Sequence, residues 1–432
     1  MSDPGSELPP PASRHGGPRS PFPGFGEPFE GASILDELPL RLACLLWEAH
    51  REVSAWTTTG PEERAGMFAP GAVERWAVSM ARLARRDEPL RPALDVLREL
   101  LADPAGTDPR RVAAACERIS AWAGEHGAPC TRFWFLSDAS RCLPGDVRLL
   151  YRVGCLARDA ARWEVAELHF QQGVVVARRV RDREGQAMSL LGLGNMHYRQ
   201  GDTRAARATL TTGLRVARRY RLGEYEGRAL HDLFGVAAHG GDCTRAEDHA
   251  REALRAYGSG HPLIPRLAHD VAYFWNNQGH YARALRVLQA LLPHFERDPE
   301  QRTLALGSLA RAAGGYGDAA LFSRTWSELW KLVEEPAARA VVTASLIGAA
   351  RGAICLRDWE CARRTADTVL RIAQERREAD VALAAEEILN LVEARWECIP
   401  ELDRPGYMAS SGRDSTLVVD LLRVLEEGAA AR

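Results

Sequence analysis

Lysine is almost absent from this chain: Lys331 is the single one in 432 residues, so nearly all of the positive charge is arginine. With 56 basic and 58 acidic side chains the formal net charge is −2. That balance argues against a protein that coats nucleic acid through overall charge, while leaving room for a local basic face. No apolar run approaches the roughly 20 residues that cross a bilayer. The first residues, with Asp3, Glu7 and many prolines, lack the basic and apolar regions of a signal peptide. Nine cysteines, an odd number, include no CxxC pair and no Cys–His spacing suited to zinc, so neither a disulfide framework nor a structural metal is expected. A phosphate loop, HExxH, GxSxG, a dinucleotide-binding GxGxxG and a carboxylate-rich metal loop are also missing from any credible context. Gly192–Gly194 falls inside a repeat helix, and Gly314-Gly315-Tyr316-Gly317 falls on a repeat turn. The expectation is a soluble, cytoplasmic, non-catalytic protein without a cofactor.

Helical patterning fills the rest. Hydrophobic residues make up 46% and charged residues 26%, enough of each for a folded core and a solvated surface. Residues 1–32 are the exception. Rich in Pro, Gly and Ser, they cannot bury enough surface to offset the entropy of ordering, and are expected as a disordered tail. The Pro9-Pro10-Pro11 run there is either a polyproline ligand or part of the solvated tail. Residues 33–112 read as a helical leader. Leu35, Leu38, Leu42, Leu45, Leu46 and Ala49 recur at steps of three and four, predicting one amphipathic helix from Ser33 towards Trp56. Further helices are expected over 72–85 and 90–102, with Trp47, Trp56 and Trp76 as core anchors.

From Ala113 one layout recurs, two helix-period runs meeting at a short turn. The residue where the second run crosses the first is Arg132, Ala166, Ala206, Ala246, Ala284, Phe322 and Ala362, spaced by 34, 40, 40, 38, 38 and 40. Turn residues march in step at Gly127, Ala161, Gly201, Gly241, Gly279, Gly317 and Arg357. Small side chains let helix axes approach to about 8 Å, and glycine frees the turn for positive φ. Arg132 and Phe322 break the small-residue rule, so the first and sixth units are expected to pack less closely. Residues 113–397 thus form a repeat array of about seven units, closed by a capping helix over 378–396. Residues 398–414 read as a linker. Residues 415–432 close the chain with an amphipathic helix bearing Leu417, Leu421, Leu422 and Leu425, which either docks back as a second cap or is offered to another protein.

In Leu193, Gly194, Asn195, Tyr198, Gln200, Gly201, Asp202 and Ala206, and again in Gly127, Ala139 and Pro144, the chain resembles the tetratricopeptide repeat family. The resemblance implies an all-α fold, a right-handed α-α superhelix, preceded here by the helical leader. It also implies that the first helix of each unit lines a concave groove. The inward positions then hold Arg148, Tyr151, Arg158, Asn195, Tyr198, Arg199, Arg228, His231, Arg266, His269, Tyr273, Asn276, Asn277, Arg311 and Arg351. Such a groove is basic and aromatic. Guanidinium forks match carboxylates in bidentate geometry, so the expected partner is a protein or peptide segment that is acidic or carboxylate-ended. The chain would then be a scaffold or adaptor. Two other readings stay open: a regulatory sensor that closes on a peptide or metabolite, and a groove for RNA or single-stranded DNA with Tyr151, Tyr198 and Tyr273 as stacking platforms.

His231-Asp232 and His269-Asp270 stand at equivalent places in consecutive units. They are either a paired recognition feature, each Asp orienting its imidazole, or duplicated packing against the neighbouring repeat. Arg178, Arg179, Arg218 and Arg219 lie near the ends of second helices, at the negative end of the helix dipole, and are expected on a solvated convex face.

Overall fold

A computed structural model describes residues 33–430 apart from 334, 336–337, 377 and 396–415. The expected tail and linker lie outside the described residues. The described residues are all-α, with no strand, and form two compact units that divide after Tyr220. Within each unit helical hairpins follow one another in sequence, the plan of an α-α repeat solenoid.

The leader opens on Ser33, whose hydroxyl accepts from Leu35 N at 3.2 Å while Ser33 N donates to Asp36 Oδ2 at 2.9 Å, capping the short α1 (Ile34–Glu37). The single helix expected here is broken. Pro39 has no N–H to continue the ladder and holds Leu38 extended, so α2 (Leu40–Thr58) starts afresh and Leu35 is left 38% exposed. The helices α3 (Ala72–Ala81) and α4 (Arg91–Ala102) follow. Trp56 and Trp76 are buried as expected; Trp47 is half-buried, with the Arg51 guanidinium 4.6 Å from its ring.

Two polar contacts lock this leader onto the first hairpin, α5 (Pro109–Glu125) and α6 (Pro129–Cys142). The Glu37 carboxylate accepts from Cys130 N at 2.6 Å and Thr131 N at 2.9 Å, so the start of α6 is capped by a residue far back in the chain. Asp138, wholly buried on α6, lies 2.7 Å from His50 Nδ1 and accepts from Ser54 Oγ at 3.0 Å and from Arg141 at 2.7 Å. A buried carboxylate is tolerable because three partners replace its water.

Two more hairpins complete this unit: α7 (Val147–Asp159) with α8 (Trp163–Val180), and α9 (Arg183–Arg199) with α10 (Thr203–Tyr220). The other unit holds α11 (Gly223–His239) with α12 (Cys243–Tyr257), α13 (Ile264–Gln278) with α14 (Tyr281–Leu291), α15 (Pro299–Tyr316) with α16 (Ala319–Lys331), and α17 (Val342–Cys355) with α18 (Trp359–Arg376). Every hairpin reverses on a residue with positive φ: Gly127 at 67°, Ala161 at 56°, Gly201 at 83°, Gly241 at 75°, Gly279 at 75°, Gly317 at 92° and Arg357 at 59°. In four turns the next residue is an aspartate that caps the second helix. Asp202, Asp242, Asp318 and Asp358 accept from the N–H three residues on, at 2.8 to 3.1 Å.

The crossing residues Ala166, Ala206, Ala246, Ala284 and Ala362 are fully buried. Arg132 does not loosen its hairpin as expected. Its partner helix supplies the small residue instead, and Arg132 Cδ lies only 3.2 Å from where a Cβ on Gly124 would stand. Phe322 is buried within its own unit.

After α18, α19 (Ala379–Glu393) packs on α17 and α18, burying Ala385, Ile388 and Val392. The last described helix, α20 (Thr416–Ala430), does not cap the end of the chain's repeats. It lies against α12, α13 and α14, burying Leu417, Val418, Leu421 and Leu425, and the Leu425 carbonyl is 3.0 Å from His294 Nε2. The physical reason is availability: α19 already covers the last hairpin, while the second helices α12 and α14 present an uncovered seam.

At Ala161 and Arg357 a side chain occupies a conformation that costs an L-residue roughly 1–2 kcal/mol. Substituting glycine at either position is expected to stabilise the protein by about 1 kcal/mol, whereas Gly201→Ala destabilises it by a similar amount. Urea unfolding of the three variants against wild type measures this directly.

Candidate functional site

In the unit ending at Tyr220, the expected basic groove is neutralised from within. Arg158 donates to Asp159 Oδ1 at 2.9 Å and to Asn195 Oδ1 at 3.0 Å, and Arg199 donates to the same Asp159 oxygen at 2.5 Å. Asp159 therefore ties α7 to α9 by holding two of the expected groove arginines. Sequence reasoning missed it, because position in the repeat marks which side a residue faces and not which charge stands beside it. Tyr151 is half-buried, its ring centroid 5.7 Å from that of Phe170; Tyr198 is half-buried, and Arg148 is exposed at the start of α7.

In the other unit the two histidines join one network across α11, α13 and α15. His231 Nε2 is 2.9 Å from Asp270 Oδ2, His269 Nδ1 is 3.5 Å from Asp270 Oδ1, and His269 Nε2 is 3.1 Å from Ser308 Oγ. Asp270 thus serves the histidine of the preceding repeat as well as its own neighbour. Burial opposes ionisation of Asp270, yet the hydrogen bonds and charges of His231 and His269 outweigh it and hold the carboxyl well below the usual range. Asn276 is fully buried, giving Nδ2 to the Ser308 carbonyl at 2.8 Å, and His269 is 7% exposed. Both belong to the contact between α13 and α15, which corrects their expected place on an open groove: Asn276 Nδ2 and His269 Nε2 each reach Ser308 on the next helix. Arg228 sits 3.6 Å from Glu224, one turn away on α11, and Arg266 is exposed near the start of α13.

Four of the expected residues do come together. Tyr273, 49% exposed, and Asn277 stand one turn apart on α13. Arg311 on α15 donates to Asn277 Oδ1 at 2.7 Å. Beside it, on α17, stands Arg351. Their closeness is built by glycine. A Cβ on Gly352 would lie 2.5 Å from the Ala310 carbonyl oxygen and 3.1 Å from Arg311 Cα, and one on Gly348 would lie 2.9 Å from the Gly307 oxygen. Gly314 likewise abuts the Gly352 backbone. α15 and α17 therefore meet backbone to backbone, and residues 311 and 351 are forced into one neighbourhood. Burial, and next the charge of Arg351, lowers the Arg311 guanidinium from its ordinary value, although arginine stays protonated. Among the described residues no carboxylate is in ion-pair range of either arginine.

Gly314 and Gly315 were expected on a turn; only Gly317 is there, and the other two lie in α15. Among the described residues no group of three or more His, Cys, Asp or Glu is placed to hold a metal ion, and no helix is long and apolar enough to cross a membrane.

No protein-family model and no curated protein matches the chain. Among solved structures it is similar to a Rap protein complexed with competence and sporulation factor, at 13% identity over 78% of this chain and 98% of that one, with a TM-score of 0.47. It is also similar to a circular tandem repeat protein with novel repeat topology and enhanced subunit contact surfaces, at 17% identity over 90% and 96%, with a TM-score of 0.20. At these scores neither likeness bears on what this chain binds.

The Asp270 network has a pH signature. A carboxyl lowered on folding stabilises the fold above its unfolded value, about 4, and that contribution is lost as pH falls below it. Asp270→Asn is expected to be less stable than wild type at pH 7, with the gap closing as the pH is taken from 4 towards 2. Thermal melts of the two proteins across that range provide the check.

Proposed function

We propose that this chain is a non-catalytic interaction protein of the tetratricopeptide type, whose first helices α13, α15 and α17 hold an acidic or carboxylate-ended segment of a partner protein. One observation carries the reading. Arg311 and Arg351 are held side by side by glycine packing, without a carboxylate among the described residues, and next to Tyr273 and Asn277. Two half-buried like charges repel, so this arrangement is stabilised by an anion between them. A carboxylate is the natural fit. Its two oxygens accept paired N–H donors from a guanidinium fork, Asn277 offers an amide to the segment's backbone, and the Tyr273 ring supplies apolar contact area.

The test is fluorescence anisotropy with a set of labelled acidic peptides of about ten residues, each made with a free C-terminus and as the C-terminal amide. Hydrogen bonds to charged groups are worth about 1.5–3 kcal/mol each. Arg311→Glu combined with Arg351→Glu is therefore expected to weaken the best binders at least tenfold, with the urea midpoint unchanged. Equal affinity in wild type and variant would remove the site from this face.

A further inference from the structure

A second basic surface, using none of the residues of that site, lies on second helices of the unit ending at Tyr220. We propose that the furrow between α8 and α10 is a docking site for an acidic amphipathic helix of a partner protein. The furrow, about 570 Å³, runs between these two second helices over the start of α9. Arg178, Arg183, Arg215 and Arg219 line it together with Val216 and Tyr220, and no acidic residue does. Arg183 and Arg219 stand 4.7 and 5.7 Å from the centre of the Tyr220 ring, which fixes their direction. Arg215 reaches only its own helix, the Thr211 carbonyl at 3.4 Å and Thr212 Oγ1 at 3.0 Å. None of the four makes an ion pair among the described residues. The whole of α10 carries five arginines and neither Asp nor Glu, on a chain whose net charge is −2. Such segregation is more than a solvated convex face requires, because a solvated face mixes both signs.

The kind of occupant is indicated by the same molecule. In the unit beginning at Arg221 the corresponding seam is filled by α20. The crossing alanines set the correspondence: Ala166 matches Ala246 and Ala206 matches Ala284, so Arg178 matches Gly258 and Val216 matches His294. Gly258 lines the cavity beside α20, and His294 is within hydrogen-bond distance of the Leu425 carbonyl. In that cavity Asp420 and Glu427 of α20 share space with Arg251 and Arg255 of α12. Arg423 of α20 lies there too, 3.7 Å from Asp420, so a seam between two second helices accepts an amphipathic helix whose acidic and basic side chains share the cavity with arginines. The furrow on α8 and α10 stands at the equivalent place in the repeat and is lined by four arginines and no acid. Within the furrow itself the apolar surface is Val216 and the single Tyr220 ring, which meets an apolar stripe but is not the row of aromatic platforms that single-stranded nucleic acid calls for. A flat anionic membrane cannot enter a furrow.

The probe is a fluorescein-labelled synthetic peptide of 18 residues, the length of α10, with leucine at i, i+3, i+4 and i+7 spacing and glutamate elsewhere, titrated with the full chain. Saturable binding is expected, weakened at least tenfold by Arg183→Glu with Arg215→Glu and to a lesser degree by Arg183→Gln with Arg215→Gln, with circular dichroism unchanged. Arg255→Glu, beside α20, and Arg311→Glu, in the first-helix row, should leave it intact, so this site and the one on α13, α15 and α17 fail separately. The proposal is overturned by no saturable binding, by equal binding of the charge-reversed protein, by equal binding of a lysine-for-glutamate peptide, or by tighter binding of a single-stranded oligonucleotide than of the peptide.

Discussion

Everything in this fold depends on a chain reversal that needs one residue in the left-handed backbone region. At each of the seven hairpins that residue ends the first helix and turns the chain back within a few bonds. In four hairpins an aspartate then caps the second helix at once. A tight reversal forces the two helices into contact, and the alanine at the crossing lets them approach. Where glycine is missing, at Ala161 and Arg357, the same conformation is imposed by packing on either side, which shows that the hairpin and not the residue is the unit of stability.

The contact between α15 and α17 pushes the same logic one step further. Successive first helices touch through Gly307, Gly314, Gly348 and Gly352, with no side chain between them. Backbones this close leave the flanking long side chains nowhere to go except outward and side by side. Arg311 and Arg351 are therefore a product of core packing, and the binding face is assembled by the same glycines that stabilise the helix pair. In the unit ending at Tyr220 the positions equivalent to Arg311 and Arg351 are Cys155 and Asn195, and the arginines nearby, Arg158 and Arg199, meet Asp159.

Periodicity made the architecture legible. The turn positions, the buried crossing alanines and the burial of Trp56 and Trp76 all follow from spacing, because spacing is what a helix face obeys. Facts about partners did not follow. The repeat pattern marks both Arg158 and Arg311 as inward-facing, and does not tell that one meets Asp159 while the other meets no acid among the described residues. Asn276 and Asn277 are neighbours in sequence, yet one is sealed against α15 and the other accepts from Arg311. The break at Pro39 was readable from proline's missing N–H, and the leucine spacing across it concealed the signal. The seat of α20 depends on which surface the remaining helices leave open, a property of the assembled fold and of no single segment.

The central claim is that glycine packing of α15 against α17 creates a site for a carboxylate. The most direct measurement is a crystal structure of the full chain with an acidic peptide bearing a free C-terminus. The account predicts a carboxylate between the Arg311 and Arg351 guanidinium groups, with the peptide backbone near Asn277. A peptide seated elsewhere with those two arginines unchanged, or α15 and α17 found apart, would contradict it.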